Sequence, residues 1–204
     1  MFNIYKTQSE EIPYDTIVCF GDSNSDTGRF SNGKIWIEKL GISKLINYAY
    51  ESATTDNNLI TDVTAFQLIV SGIRQQITTY KNTTDLSVKY FLIVNQPPFQ
   101  AYPSALSLNM NDYLNKLTLE HNNNLSNSIQ TLQSNYSNIS FKLFDVYSLI
   151  ENILINGSTY KINSRTNCWN TSSNNTVVQL SLTPDTYLYI DEYQFYYACT
   201  SIDC

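Results

Sequence analysis

The sequence predicts an α/β fold of three layers, in which helices cover both faces of a parallel central sheet. Two observations support it: short apolar runs rich in β-branched and aromatic residues indicate buried strands, and segments with helical spacing of apolar residues lie between them. A chain of 204 residues suffices for one such domain and is short for two. We therefore expect a polar lead-in over residues 1–15 and a single domain over residues 16–204, with ligands at the carboxyl ends of the strands.

The predicted elements alternate along the chain. Strands are expected at residues 16–20, 45–50, 88–95 and 139–144. Helices are expected at residues 35–40, 62–80, 106–135 and 146–154. Gly41 is placed to end the first helix and Asp145 to cap the last one. Residues 156–186 are rich in Asn, Ser and Thr, which predicts loops.

Apolar residues at steps of three or four predict the buried faces of the two longer helices. The first face comprises Phe66, Ile69, Val70, Ile73 and Ile77, and the second comprises Leu114, Leu117, His121, Leu125, Ile129 and Leu132. His121 is the only histidine of the chain. Its place on this face favours a packing role at the edge of the core over a catalytic one.

The composition excludes several classes of partner. A net charge of −6 with only 15% charged residues argues against nucleic acid and against an electrostatic membrane anchor. No apolar run approaches the length of a membrane span. Aromatic residues make up 13% of the chain and could form the floor of a carbohydrate site, although packing alone accounts for them. No metal or organic cofactor is predicted.

The cellular compartment is left open by the sequence. The first residues lack the basic and apolar regions of a signal peptide. Seven N-glycosylation sequons would suit a secreted glycoprotein, although a chain rich in Asn, Ser and Thr produces some by chance; they begin at Asn82, Asn124, Asn135, Asn138, Asn156, Asn170 and Asn174. Cys19 is predicted to be buried, whereas Cys168, Cys199 and Cys204 could contribute one disulfide if the chain is exported. Their spacing fits no zinc site.

Ser23 is the strongest candidate for a reactive side chain. The apolar run of residues 16–20 ends in Gly21-Asp22-Ser23, which predicts a tight turn with a hydroxyl at its tip. A serine at the end of a buried strand is held rigidly and can still reach a substrate. The alternative is an ordinary strand-to-helix turn in which Ser23 or Asp22 caps the next helix.

The longer string Phe-Gly-Asp-Ser-Asn-Ser-Asp-Thr-Gly at residues 20–28 resembles the first sequence block, FGDSxSDTGN, of the GDSL or SGNH family of serine ester hydrolases. Further segments resemble that family: residues 28–38 its GRFSNGxxWxE stretch, residues 47–55 its NYAxGGAT block, residues 96–99 its NLPP turn, and residues 186–195 its YxxWDxxHPT block. The resemblance implies a flavodoxin-like three-layer sandwich and hydrolysis of acetyl-carbohydrate or lipid esters, with Ser23 as the nucleophile.

The resemblance also assigns the other site residues. The backbone N–H groups of Ser23 and Ser52 would bind the oxyanion, Asp191 would match the acidic residue of the last block, and Gln194 stands where the family has its histidine base. Glutamine cannot accept a proton at neutral pH. Glu51 and Ser52 replace the two glycines of the second block, and the Glu51 charge opposes an oxyanion. Residues 51–55 could instead be a surface loop, and Asp191 a loop residue.

The chain is shorter than the family pattern. The segment before GRFSNG is missing, no strand ends in the third block GxND, and only ten residues follow Gln194. Asn109-Met-Asn-Asp mimics the third block, but it lies inside a helical pattern. The sequence thus predicts an incomplete, monomeric ester hydrolase of weak activity, acting on a small-molecule or carbohydrate ester. The alternatives are an inactive binding module that retains the cleft, and a truncated non-functional product.

Overall fold

The computed structural model describes residues 14–26, 34–58, 70–83, 88–162, 164–171, 177–183 and 186–189. They fall into two compact units: an N-terminal unit up to residue 83 and a C-terminal unit from residue 88. The strands are β1 Thr16–Cys19, β2 Lys44–Asn47, β3 Tyr90–Val94, β4 Ser140–Phe144, β5 Ser164–Asn167, β6 Trp169–Thr171, β7 Val177–Leu180 and β8 Tyr187–Tyr189. The α-helices are α1 Ile73–Thr83, α2 Pro103–Ser107, α3 Asn111–Asn135 and α4 Val146–Ile155.

The described strands form four pairs. Three pairs are parallel, β1 with β2, β3 with β4 and β5 with β8, and β6 runs antiparallel to β7. Parallel strands need a crossover between them, which is typical of α/β proteins. The structure therefore confirms a mixed fold of helices and strands with parallel pairing. The three-layer arrangement of one continuous sheet is not established by these pairs.

In the N-terminal unit, a small apolar core packs against β1 and β2. A 3₁₀ helix over Trp36–Leu40 connects them and ends at Gly41, whose φ of 70° is the left-handed conformation that glycine adopts without strain. The Glu38 carboxylate accepts a 2.9 Å hydrogen bond from the Ile35 N–H and so fixes the start of this helix. The helix and its glycine stop confirm the sequence prediction. The buried residues of this core are Cys19, Ile35, Ile37 and Ala49.

The N-terminal end of α1 is held by a polar loop around Asp56. The Asp56 carboxylate accepts hydrogen bonds from the side chains of Gln75 (2.8 Å) and Arg74 (2.7 Å) and from the backbone N–H of Asn58 (3.0 Å). These donors lower the pKa of Asp56 to about 2, the Gln75 bond having the largest effect. The backbone N–H groups of Ile73 and Arg74 donate to the carbonyls of Thr54 and Thr55, so this loop satisfies the first two N–H groups of α1.

The predicted buried face of this helix is partly wrong. Val70 is buried as expected, but it precedes α1, which begins at Ile73 and continues to Thr83 beyond the predicted end at residue 80. Ile77 is 41% exposed, and Gln76 and Tyr80 are the buried residues of α1. Gln76 can occupy the interior because its amide is fully engaged in hydrogen bonds, as described below. Phe66 and Ile69 lie outside the described residues.

In the C-terminal unit, the core surrounds α4. Its buried residues are Tyr102, Ala105, Ile150, Ile153, Leu188 and Tyr189. Asp145 caps α4, as predicted, by accepting a 3.0 Å hydrogen bond from the Ser148 N–H, and its Oδ1 also accepts from Asn95 Nδ2 at 2.7 Å. Partial burial alone would raise the pKa of Asp145, but the hydrogen bonds from Ser148 and Asn95 hold it below its ordinary range.

The single long helix predicted over residues 106–135 is two helices. The chain breaks between α2 and α3 at Asn109, whose φ of 53° is left-handed and cannot continue a right-handed helix. On α3, Thr118 and Ile129 are buried, while Leu117 and His121 are exposed, so His121 is not at the core edge. The Asn122 side chain faces inward instead, exchanging two 2.9 Å hydrogen bonds with the Gln96 backbone.

Two further features differ from the predicted pattern. Residues 156–186, predicted as loops, contain a 3₁₀ helix at Gly157–Tyr160 and the strands β5, β6 and β7. Strand β3 exposes one face, because Tyr90, Leu92 and Val94 are all open to solvent, Leu92 by 56%. The opposite face of the pair is packed through Phe91 and Phe141, whose rings stack with centroids 5.1 Å apart.

Candidate functional site

Ser23 lies in a tight turn directly beyond β1. The Ser25 N–H donates to the Asp22 carbonyl at 3.0 Å, and the Asn24 N–H donates to the Asp22 carboxylate at 3.0 Å. The second bond is an Asx turn, in which an aspartate side chain replaces a backbone acceptor. Ser23 is half-buried, and within the described ranges no group makes a hydrogen bond to its hydroxyl. The turn therefore presents a hydroxyl that is available to a ligand.

Position 21, just before this turn, favours glycine because the backbone there lies close to the Ser25 side chain. A Cβ at Gly21 would lie 3.3 Å from both Cβ and Oγ of Ser25, closer than most real contacts of that kind. The Gly21 carbonyl accepts from the Tyr50 N–H at 3.1 Å and from Gln76 Nε2 at 3.0 Å. Its N–H donates to Gln76 Oε1 at 2.9 Å. Both the N–H and the carbonyl of Gly21 are thus held by hydrogen bonds.

A second loop, which follows β2, is tied to the serine turn. The Asn47 side chain donates to the Ser25 carbonyl at 2.7 Å and accepts from the Ala49 N–H at 2.9 Å. The buried Asp26 carboxylate accepts from the Glu51 N–H at 2.8 Å. These bonds bring the two loops that carry Ser23 and Ser52 together in one unit.

Ser52 occupies a position that favours glycine. The Ala53 N–H donates to the Tyr50 carbonyl at 3.1 Å, which closes a four-residue turn, and Ser52 in its third position has a φ of 62°. This is the pattern of a type II turn, in which the third residue needs a positive φ. Ser52 is exposed. The backbone thus adopts the glycine-like conformation that the resemblance requires of an oxyanion donor, although the residue is serine.

Cys19 is the other nucleophilic side chain near this turn. It ends β1, is only 5% exposed, and is surrounded by apolar residues. Burial raises the pKa of its thiol to about 11; the hydrogen bond with Ser25 lowers this pKa in part, and the nearby Asp22 charge raises it by a smaller amount. A thiol with this pKa remains protonated at neutral pH and is a poor nucleophile. Ser23 is therefore the better candidate.

Several residues that the resemblance assigns to the site lie outside the part of the chain that the structure describes. Asp191 and Gln194, as well as Cys199 and Cys204, lie beyond the described residues, so the base and any disulfide stay predictions. Cys168 is described and buried. His121 belongs to the C-terminal unit and is exposed on α3.

Asn109 can also be assessed as a substitute for the missing third block. It follows helix α2 in a turn, with its N–H bonded to the Leu106 carbonyl, whereas the block would follow a strand. This position favours the simpler interpretation, in which Asn109 has no part in the site.

The sequence analysis missed Gln76, which contacts the serine turn most directly. A single glutamine in a helical pattern carries no signal of its own, because the same residue on a solvated face would leave the same pattern. Its role appears only when α1 is placed against Gly21.

No set of three or more metal-binding side chains is found among the described residues. No helix in the described part of the chain is long and apolar enough to cross a membrane. In comparisons with known proteins, none of the protein-family models matches this chain, and no curated protein is significantly similar to it.

Proposed function

We propose that the chain is a carboxylic ester hydrolase of the GDSL or SGNH type, with Ser23 as its nucleophile and an acetyl-carbohydrate or lipid ester as its substrate. The observation that carries the proposal is the Ser23 turn: a hydroxyl that no described group engages, held just beyond the carboxyl end of the parallel strand β1. Parallel α/β folds bind ligands at that edge. The string Phe-Gly-Asp-Ser-Asn-Ser-Asp-Thr-Gly supplies the chemistry, because that family uses this serine.

In the proposed reaction, Ser23 Oγ attacks the ester carbonyl to give a tetrahedral oxyanion, and cleavage of the ester C–O bond then expels the alcohol and leaves the acyl group on Ser23. Water hydrolyses this acyl-enzyme, which releases the acid and restores the serine. The oxyanion would be bound by the N–H groups of Ser23 and Ser52. The tie between Asp26 and the Glu51 N–H supports this assignment, since it holds the Ser52 turn beside the Ser23 turn. Because the Glu51 N–H is used in this hydrogen bond, the backbone N–H of Ser52 is the donor that remains for the oxyanion, as the family pattern needs.

The proton of Ser23 has no good acceptor in the proposed site. Gln194 replaces the expected histidine, and Asp191 alone would have to span the space of an imidazole. In a serine protease, loss of the base costs about 10⁶-fold in rate, which corresponds to ~8 kcal/mol. We therefore expect weak turnover or none from the chain as encoded.

We further propose that the parallel pairs belong to one central sheet of a three-layer sandwich, within a single domain over residues 16–204. The pairs β1–β2 and β3–β4 support this proposal, because helical segments lie between their strands: the 3₁₀ helix Trp36–Leu40 between β1 and β2, and the helices α2 and α3 between β3 and β4. A second function is favoured by Gln194 itself: a binding module that retains the ester-binding cleft without hydrolysis.

The experiment is covalent labelling of Ser23 by a fluorophosphonate probe, together with hydrolysis of p-nitrophenyl acetate. Four proteins are compared: the wild type, Ser23→Ala, Gln194→His, and Ser43→Ala as a control for an exposed serine of the same unit. The proposal expects labelling at Ser23 that is weak in the wild type, stronger in Gln194→His, unchanged in Ser43→Ala and absent in Ser23→Ala.

Each other result has a definite meaning. Saturation binding of an ester analogue without labelling, with activity gained by Gln194→His, would favour the binding module. Efficient labelling of the wild type would show that a base other than residue 194 serves Ser23. No labelling in any variant would refute the hydrolase.

A further inference from the structure

We infer that Gln76 is the positioning residue of the Ser23 turn: its buried side-chain amide holds Gly21, and thereby sets where the Ser23 hydroxyl stands. The inference rests on the proposed function for its catalytic meaning, but the contact itself does not depend on it. Gln76 lies on α1, far from Gly21 in sequence, and both belong to the N-terminal unit.

The contact is a complete amide pair. Gln76 Oε1 accepts from the Gly21 N–H at 2.9 Å, and Gln76 Nε2 donates to the Gly21 carbonyl at 3.0 Å. The second hydrogen of Nε2 is used by the Ser71 carbonyl at 2.8 Å. The Gln76 amide therefore bonds to Gly21 in the way the backbone of a neighbouring strand would, just beyond the end of β1 and on the side of Gly21 that also receives the Tyr50 N–H at its carbonyl.

Burial makes this arrangement specific for glutamine. Gln76 is only 2% exposed, so an apolar residue of similar size would be the simplest filling for its site. Both atoms of an amide are needed to satisfy a peptide N–H and its carbonyl at once. Glutamate could accept from the N–H but could not donate to the two carbonyls. Removing the amide would leave the N–H of the half-buried Gly21 without its hydrogen-bond partner.

The geometric consequence reaches Ser23 through two peptide bonds. Gly21 is the last residue before the turn that begins at Asp22, and Ser23 is the next residue of that turn. The turn itself is closed by short-range bonds to Asp22, so it moves as a unit when Gly21 moves. A displacement of about 1 Å of a reacting group can cost about 10²-fold in rate.

Gln75 offers a matched control. It has the same side chain one position earlier on α1, where its Nε2 donates to the Asp56 carboxylate at 2.8 Å and its Oε1 accepts from the Asn57 N–H at 3.1 Å. Gln75→Met and Gln76→Met therefore remove the same side-chain amide from adjacent positions of one helix. A purely structural role of Gln76 would make the two variants alike at Ser23.

The first measurement is amide hydrogen exchange by NMR, which needs no activity. Gln76→Met should speed exchange at the Gly21 N–H about 10-fold and leave the Asn57 N–H unchanged, whereas Gln75→Met should do the reverse. If Gln76→Met does not fold, Gln76→Asn replaces it, because the shorter amide cannot reach Gly21. Gly21 exchange within twofold of the wild type in the folded variant would overturn the inference.

The second measurement is the rate of fluorophosphonate labelling at Ser23, in the wild type and in the Gln194→His background, at temperatures where every variant is folded. Gln76→Met should lower the rate about 10²-fold and Gln75→Met by less than twofold. Equal losses in both variants would reduce Gln76 to a structural residue and overturn the inference. If no protein labels at all, the proposed function fails, and the Gly21 exchange result alone decides whether Gln76 holds the turn.

Discussion

Replacing Ser52 with glycine should stabilise the protein. Ser52 has a φ of 62°, a left-handed conformation that costs an L-residue about 1–2 kcal/mol. Glycine adopts it freely but gains flexibility in the unfolded chain, which costs ~0.5–1 kcal/mol. Ser52 is exposed, so little packing is lost with its side chain. We therefore expect Ser52→Gly to raise the free energy of unfolding by about 0.5–1 kcal/mol.

The assay is urea denaturation followed by circular dichroism. With a slope near ~2 kcal/mol per molar urea, the midpoint should rise by about 0.3–0.5 M at unchanged slope. Ser52→Ala tests whether the backbone is responsible, because it removes the hydroxyl and keeps the strained φ, and it should leave the midpoint near that of the wild type. Ser137→Gly is the matched control, an exposed serine without a positive φ, and it should lower the midpoint.

The reasoning would be refuted if Ser52→Gly behaved like Ser137→Gly. Such a result would mean that residue 52 does not have a left-handed backbone in solution, and the turn would then lose its likeness to the glycine of the second block. A gain in stability that Ser52→Ala shared would instead assign the effect to the serine hydroxyl.

Three further predictions concern charge, capping and reactivity. The folded-state pKa of Asp56 is about 2, below its ordinary 3.8, so its contribution to stability is present above pH ~4 and is lost as the pH falls towards 2. When the melting temperature is measured across this pH range, it should fall less in Asp56→Asn than in the wild type. Asp145→Ala should cost about 2 kcal/mol in urea denaturation, from the lost cap of α4 and the unpaired Asn95 amide, and Asp145→Ser should recover part of it; equal losses would refute the capping term. Cys19 should resist iodoacetamide at pH 8 in the folded protein and react once urea unfolds it, as mass spectrometry would show; rapid labelling of the native protein would contradict its burial.

The elements that follow from local chemistry could be predicted from the sequence. β3 and β4 are apolar runs bounded by breakers, Asp145 is a strong N-cap, and Gly41 is a helix stop, and the structure has all of them. The strands β5 and β6 could not be predicted, because their Ser, Thr and Asn residues resemble a loop and pair only through tertiary contacts.

The candidate site also combines a local part, which the sequence predicts, with contacts from distant residues, which it does not predict. The Ser23 turn follows from its neighbours in sequence, since Asp22 builds it with its own carboxylate. The contacts that fix it come from distant residues, Asn47 on β2 and Gln76 on α1, whose identity gives no hint of their partners. Periodicity even misplaced the buried face of α1, because it counts a buried glutamine as polar and assigns it to solvent.

The exposed face of β3 bears on how the protein behaves when it is concentrated or refolded. Tyr90, Leu92 and Val94 form a short apolar row on a β-strand, and partly folded chains adhere through such rows. Cooling weakens this attraction and sulfate salts strengthen it, so preparations should stay clear in the cold and turn turbid with ammonium sulfate. Leu92→Lys, placed beside Lys142 on the same face, should delay that turbidity while leaving the Phe91–Phe141 stack intact.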